Sequence, residues 1–98
     1  GEVDVADYSY HGETPTTKIA GIIMICDSSE AAIRAMDHPD GERVDRLLRG
    51  IIADRISRGQ FDNCPISLME LDIIRQTIIS AYGGLFHHRI KYPGGEKQ

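Results

Sequence analysis

The stretch Thr17–Met36 reads TKIAGIIMICDSSEAAIRAM and organises the rest of the chain. Residues 19–26 within it form a run of eight residues without a charge, and Asp27 follows this run directly. Burying an ionised carboxylate costs several kcal/mol, so an aspartate at the edge of so apolar a run is unfavourable unless a positive group compensates it. Asp27 is therefore the first candidate for a functional residue.

The same stretch predicts the first of three helices. The hydroxyl of Thr16 or Thr17 can cap the free amides of a helix that ends before Asp37. Because the first half of this helix is apolar on nearly every face, we expect it to be the central helix, surrounded by the others. Gly21 costs about 1 kcal/mol relative to alanine in a helix interior, so we expect another backbone to approach closely there.

Two further helices follow in the second half of the chain. Apolar residues at helical spacing predict a helix at about residues 42–58, which Gly59 stops, and acid-then-base pairs four residues apart indicate a solvated opposite side. These pairs are Glu42–Arg46, Asp45–Arg49 and Asp54–Arg58. Ser67 and Glu70 form a capping box that begins the third helix, and Gly83-Gly84 could bend or interrupt it.

The predicted fold class is all-α, with three helices preceded by an irregular arm. Residues 1–16 show weak apolar alternation and are expected to form an extended arm or loop. The three helices occupy residues 17–93, and residues 94–98 are expected to form a flexible tail. The fold is thus that of a small helical unit rather than a sheet protein.

Composition and charge are typical of a soluble globular domain and argue against a large nucleic-acid interface. The 98 residues are 41% hydrophobic and 27% charged, which is ordinary for a soluble globular domain, and the six aromatic residues include no Trp. Residues 1–40 carry eight acids and two bases (−6), whereas residues 41–98 carry seven acids and nine bases (+2). This balance argues against a large electrostatic nucleic-acid interface but is compatible with a small phosphate ligand.

The two cysteines and the apolar runs indicate a cellular setting. Cys26 and Cys64 form neither a Cys-x-x-Cys pair nor a disulfide framework, which suits a reducing, cytoplasmic compartment. The uninterrupted apolar run is far shorter than the roughly 20 residues that a membrane span needs. We therefore expect these residues neither to cross a bilayer nor to begin with a signal peptide.

Residue types alone leave the role of Asp27 open. A single carboxylate on a helix is more often paired with an arginine, or used as a cap, than bound to a metal. Glu30 and Arg34 lie one and two turns beyond Asp27 and can pair with each other. Spacing alone does not decide between a structural and a ligating aspartate.

The histidines and the C-terminal residues are weaker candidates. His87 and His88 are adjacent, and adjacent side chains on a helix point about 100° apart, so they cannot easily hold one metal ion. His11 and His38 fall in predicted loops. Residues 87–92 interleave basic and aromatic residues, a nucleic-acid-binding feature of low specificity. The chain contains no phosphate-binding glycine loop, nucleophile elbow or His-Glu-x-x-His motif.

A longer pattern that covers essentially the whole chain is more specific. Its parts, in order, are TK-x-A-x-IIM-x-x-DS-x-EAA-x-R (17–34), II-x-DR (51–55), GQFD (59–62), ISL-x-EL (66–71) and HRIKYP (88–93). This pattern closely resembles the cytoplasmic HD domain of the seven-transmembrane HD phosphohydrolases, a family of bacterial membrane proteins. The order and spacing of the parts match that family throughout.

The resemblance implies an all-helical, metal-dependent phosphodiesterase that hydrolyses cyclic dinucleotides such as cyclic di-AMP. Members hold two metal ions, iron or manganese, between histidines and aspartates. The aspartate of the Asp-Ser-x-Glu-Ala-Ala motif is the last ligand in sequence order, and it falls on Asp27. A dication would supply the compensating charge for Asp27. Lys18, at the start of the same helix, is a candidate for contacting the substrate phosphate by its position.

The resemblance also implies that this chain is the C-terminal part of an HD domain. The other metal ligands of the family have no matching positions here and would lie upstream of Gly1. We therefore expect no complete catalytic site, no tightly bound metal and no hydrolysis by these 98 residues alone. The parent protein would lie at the cytoplasmic face of the bacterial inner membrane, anchored by upstream segments, and exposed apolar faces would favour a homo-oligomer.

Two other interpretations stay open. The chain could be a helical self-association or interaction module in which Asp27 is structural and paired with an arginine. Nucleic-acid binding through the C-terminal residues would require strongly salt-dependent affinity, and the acidic net charge does not favour it.

Overall fold

Three helices make up the part of the chain that the structure describes. The structure is a computed structural model and describes the backbone of residues 14–91 and the side chains of residues 14–82. The helices are α1 (Lys18–Ala35), α2 (Gly41–Ser57) and α3 (Leu68–Lys91), and residues 14–91 contain no strand. The predicted helical fold is confirmed. The predicted tail, most of the predicted arm and the side chains of His87 and His88 lie outside the described residues.

Local capping interactions explain where the first two helices begin and end. The Thr17 hydroxyl accepts a hydrogen bond from the Ala20 amide at 3.1 Å and caps α1. The Asp40 carboxylate accepts one from the Arg43 amide at 2.8 Å and caps α2. Gly59 follows α2 with a φ of 74°, a left-handed conformation that suits glycine and ends the helix as predicted.

The predicted capping box at the start of α3 is confirmed. The Ser67 amide donates to the Glu70 carboxylate at 2.9 Å, and the Glu70 amide donates to the Ser67 hydroxyl at 3.0 Å. Glu70 also accepts a hydrogen bond from Lys18 Nζ at 2.6 Å, which ties the start of α3 to the start of α1. The helical backbone of α3 continues through Gly83-Gly84 without interruption.

The central helix is α2, so the prediction that α1 occupies this place is wrong. α2 packs against both α1 and α3, whereas the contact between α1 and α3 is weaker. Its core stripe is fully or almost fully buried and comprises Val44, Leu47, Leu48 and Ile51. On α1, by contrast, Ile19 is 70% exposed and Ile23 is 53% exposed. The apolar sequence of α1 therefore does not correspond to burial on every face.

Gly21 is explained by side chains rather than by the backbone approach that was expected. A Cβ atom at this position would lie 2.9 Å from Cys64 Sγ and 3.5 Å from a ring carbon of Phe61. Cys64 is buried and its thiol donates to the Thr17 carbonyl at 3.3 Å. The loop between α2 and α3 thus packs directly on the first turns of α1.

Candidate metal-binding face of α1

Asp27 lies on the exposed face of α1, in line with exposed isoleucines. Ile19, Ile23 and Asp27 are spaced four residues apart, so they follow one another along one side of the helix. All three side chains are exposed in the described structure. Ile19 and Ile23 therefore form an exposed apolar stripe on α1 that ends at the Asp27 carboxylate.

The expectation that Asp27 is buried and compensated by a nearby charge is not met within the described residues. Asp27 is exposed, and no lysine or arginine side chain among residues 14–82 forms an ion pair with it. Glu30 and Arg34 pair with each other at 2.8 Å, as their spacing predicts. Asp27 stays solvated, because the described helices do not bury α1 on all sides.

A small cleft separates Asp27 from α3. It has a volume of about 240 Å³, and its walls include Asp27 and Glu30 on α1 and Ile78, Ala81 and Tyr82 on α3. The lining combines two carboxylates with apolar and aromatic side chains. The carboxylate of Asp27 is therefore accessible from the side of α3 as well as from the outer face of α1.

Cys26 lies beside Asp27 at the edge of this cleft. Partial burial of the thiol, with a smaller contribution from the negative charge of Asp27, raises the pKa of Cys26 above its usual value. The thiol form is therefore favoured at neutral pH, which makes this cysteine a poor nucleophile.

Behind Asp27, a buried arginine joins α1 to α2. Arg55 is fully buried, and its Nη2 donates to the Ser28 hydroxyl at 2.9 Å while its Nη1 donates to Asp54 Oδ2 at 2.8 Å. Asp54 Oδ1 accepts in turn from Arg58 Nε at 2.9 Å. Ser28 is the residue immediately after Asp27, so this network ends on the side chain next to the candidate ligand.

The buried position of Arg55 was missed from the sequence. The interpretation of the α2 arginines as a solvated face is correct for the exposed side chains of Arg49 and Arg58 but wrong for Arg55. A signal for its burial was present, because Arg55 follows Leu48 and Ile51 at helical spacing on the core stripe. The hydrogen bond from Arg58 lowers the pKa of Asp54, with the positive charge of Arg55 also contributing, so Asp54 is held as a carboxylate.

The structure does not bring Lys18 close to Asp27. Nine residues separate the two along α1, which corresponds to about 13.5 Å along the helix axis and to opposite sides of the helix. The Lys18 ammonium is engaged with Glu70 at 2.6 Å. A phosphate contact by Lys18 stays a prediction.

The described residues contain no complete metal site. No group of three or more His, Cys, Asp or Glu side chains is placed so that it could hold a metal ion within the described part of the chain. His38 is exposed in the loop after α1, where its carbonyl accepts from Arg43 Nη1 at 2.9 Å. His11, His87 and His88 lie where no side chain is described.

Comparison with known proteins gives two relatives at high identity. The cyclic-di-AMP phosphodiesterase PgpH of Bacillus subtilis (strain 168) is 41% identical over 97 residues, which are 99% of this chain. PgpH of Listeria monocytogenes serotype 1/2a (strain 10403S) is 45% identical over 92 residues, or 94% of this chain. No family model matches the chain.

Solved structures agree with the sequence comparison. The crystal structure of the L. monocytogenes PgpH HD domain matches 87% of this chain with a TM-score of 0.75 and 44% identity. The chain is homologous to the HD domain of PgpH. The structure of that domain in complex with cyclic-di-AMP matches 85% of the chain with a TM-score of 0.73 and 43% identity. The all-α fold class and the resemblance to HD phosphohydrolases are thereby confirmed.

The chain corresponds to a part of its PgpH relatives. It spans 14% and 13% of the length of the two PgpH proteins, and 39% and 41% of the solved HD-domain chains. None of the helices, over the residues described, is long and apolar enough to cross a membrane.

The fold explains why two separated stretches of the HD pattern belong together. Ser28, in the Asp-Ser pair of the first stretch, accepts a hydrogen bond from Arg55, in the Asp-Arg pair of the second stretch. Two parts of the sequence pattern therefore correspond to one contact between α1 and α2, in addition to the candidate ligand.

Proposed function

We propose that this chain forms one side of the catalytic centre of a metal-dependent HD phosphodiesterase, with Asp27 as a metal ligand. The observation that carries the proposal is the Asp27 carboxylate, which is exposed and lacks an ion-pair partner among the described residues. Homology to the HD domain of PgpH, a cyclic-di-AMP phosphodiesterase in two bacteria, supports hydrolysis of a cyclic dinucleotide, with cyclic di-AMP as the substrate.

The chemistry of Asp27 fits a divalent cation. Carboxylate oxygens are hard ligands that suit such ions, and an exposed carboxylate is open to one. Glu30 lines the same cleft, but the described residues contain no group of three or more such ligands, and we assign the remaining ligands to other parts of the intact protein. We assign iron or manganese, as a pair of ions, on the basis of the family resemblance.

The described residues provide position and environment for the reaction. A metal pair supplies Lewis-acid activation of the phosphodiester and of the attacking water when it is bound. Asp27 would contribute a carboxylate that holds one of the ions. Ile19 and Ile23 offer an apolar surface on which the rest of the HD domain packs, and this packing excludes water from the side of α1 that carries Asp27.

The cellular setting and partners follow from the same assignment. The intact protein would act at the cytoplasmic face of the bacterial membrane. Its first partner is the remainder of the HD domain, which covers the exposed stripe on α1. Homo-oligomer formation through other exposed apolar residues stays a prediction.

Hydrolysis of cyclic di-AMP by the intact protein tests this proposal. With Mn²⁺ present, we expect conversion to the linear dinucleotide, and we expect Asp27→Ala to lower the rate by roughly 10²-fold or more, since loss of metal assistance costs several kcal/mol of transition-state stabilisation. Asp37→Ala, which removes an exposed loop carboxylate near the end of α1, serves as the matched control and should change the rate less than about threefold. Equal rates for wild type and Asp27→Ala would refute the assignment.

The alternative of a self-association module with a structural Asp27 is not favoured. That interpretation requires an arginine partner for Asp27, and none is present among the described side chains. Arg34, which lies on the same helix, pairs with Glu30 instead.

A further inference from the structure

Arg55 occupies a position where an apolar residue would be expected. It lies on the core stripe of α2, and its side chain is completely buried. Burying a guanidinium is unfavourable unless its geometry and hydrogen bonds compensate for the loss of water. Since replacement of buried ion pairs by apolar residues is often neutral or stabilising, stability alone does not account well for an arginine here.

The hydrogen bonds of Arg55 reach Ser28, the residue next to Asp27 on α1. One arm of the guanidinium is held by Asp54 at 2.8 Å, and the other donates to the Ser28 hydroxyl at 2.9 Å. Asp54 is itself held by Arg58 at 2.9 Å. The planar guanidinium is held on α2 by Asp54. It thus restricts the position of Ser28, the residue that follows Asp27 on α1.

The apolar residues in the first half of α1 specify its rotation only weakly. Ile19 and Ile23 on the exposed face are as apolar as Met24 and Ile25 on the buried face, so apolar contacts permit more than one rotation of this helix. A directional polar bond between two packed elements distinguishes such alternatives, because any rotation leaves a buried polar group unpaired. The bond to Ser28 therefore favours the orientation that presents Asp27 outward.

We propose that Arg55, acting through Ser28, is a positioning residue that holds α1 in the rotation at which Asp27 binds metal. This inference rests on the proposed role of Asp27. Arg55 does not touch the metal or substrate in this account. Its function is to limit the positions of the Asp27 carboxylate, as outer-shell residues do for the ligands of other metal sites.

Two adjacent buried serines offer a matched pair of variants. The Ser28 hydroxyl accepts the bond from α2, whereas the Ser29 hydroxyl donates to the Ile25 carbonyl of its own helix at 2.6 Å. Both side chains are buried, at 8% and 2% exposure, so removal of either hydroxyl leaves a similarly small space in the interior. Only the Ser28 bond joins the two helices in this pair.

The measurement is Mn²⁺ affinity, by equilibrium dialysis of the intact protein with metal analysis, together with the melting temperature of the metal-free protein. We expect Ser28→Ala to weaken Mn²⁺ binding about tenfold and Ser29→Ala to weaken it less than about threefold. Ser28→Ala should lower the melting temperature of the metal-free protein more than Ser29→Ala, because it leaves a buried guanidinium N–H without its acceptor, and both variants should remain folded at the temperature of the dialysis. Equal effects of both variants on Mn²⁺ affinity would overturn the inference.

Substitution of Arg55 provides a second line of test. Arg55→Lys keeps the charge but cannot span Asp54 and Ser28 with a planar fork, so we expect it to weaken Mn²⁺ binding at least as much as Ser28→Ala. Wild-type Mn²⁺ affinity in a folded Arg55→Lys protein contradicts the positioning role. Asp27→Ala separates the two proposals: unchanged Mn²⁺ binding in this variant refutes the role of Asp27 itself, whereas loss of binding in Asp27→Ala with normal binding in Ser28→Ala refutes the positioning role alone.

Discussion

Gly21 shows how one residue controls the approach of a loop to α1. A methyl group at this position would lie 2.9 Å from Cys64 Sγ, a distance at which either the thiol or the helix must move. Cys64 is buried and has little room to shift, since its thiol also bonds to the Thr17 carbonyl. The glycine is therefore required by side-chain packing, not by its backbone conformation.

Replacement of Gly21 by alanine is expected to destabilise the protein. Alanine improves helix propensity by about 1 kcal/mol, but overpacking against a buried thiol costs about 1–3 kcal/mol. The net loss in the free energy of unfolding should be about 1 kcal/mol, measured by denaturant unfolding of the complete HD domain. Cys64→Ala removes the clashing sulfur, so Gly21→Ala should cost less in a Cys64→Ala background. Strict additivity of the two substitutions would contradict the proposed contact.

At the scale of elements, Arg75 connects α2 to α3. It forms an ion pair with Asp45 on α2 and donates to Asp72 on its own helix at 2.9 Å. Asp45 also accepts from Arg49 at 2.9 Å. The bond from Arg49, followed by the positive charge of Arg75, lowers the pKa of Asp45 below its usual value. The ionised carboxylate is thus the form that the folded state favours.

This lowered pKa predicts acid sensitivity of the α2–α3 contact. A carboxylate whose folded-state pKa lies below its unfolded value, about 3.9 for aspartate, contributes stability above that pH, and the contribution is lost as the pH falls through the folded-state pKa. Asp45→Asn should lower the free energy of unfolding by about 0.5–1 kcal/mol at pH 7. Between about pH 5 and pH 3, the free energy of unfolding should decrease less in Asp45→Asn than in the wild type. Thermal unfolding across this pH range measures both effects, with Asp37→Asn as the control. Parallel curves for wild type and Asp45→Asn would exclude the role of this carboxylate.

Local sequence signals were sufficient for the helices but not for their arrangement. The Thr17 hydroxyl and the Ser67–Glu70 capping box act within three residues, so the starts of α1 and α3 could be predicted from neighbouring residues. The place of α2 at the centre depends on contacts between distant residues. An apolar α1 is compatible with burial by its own helical neighbours or by other parts of a larger domain, and its sequence does not distinguish them.

The candidate site was likewise predicted from the sequence only in part. Asp27 was identified from the sequence, but only the resemblance to HD phosphohydrolases favoured a metal over an arginine partner. The burial of Arg55 depends on Ser28, which lies 27 residues away in the sequence. No local pattern encodes that contact, although the helical spacing of Arg55 from Leu48 and Ile51 marks its face.

At the scale of the whole molecule, we propose that this chain is a part of a larger catalytic unit. The chain matches 39–41% of the solved PgpH HD-domain chains, and its described residues hold no group of three potential metal ligands. Its exposed apolar stripe and its candidate ligand lie on the same side of α1. We therefore propose that Asp27 completes a metal centre whose other ligands lie outside the described residues.

The metal content of the intact protein, determined by elemental analysis after purification with Mn²⁺ or Fe²⁺, tests this claim most directly. We expect about two metal ions per HD domain in the wild type, as in a two-metal phosphodiester-cleaving site. Asp27→Ala should lose at least one of them, whereas Asp37→Ala should retain both. Full metal occupancy in a folded Asp27→Ala protein would contradict the assignment of Asp27 as a metal ligand.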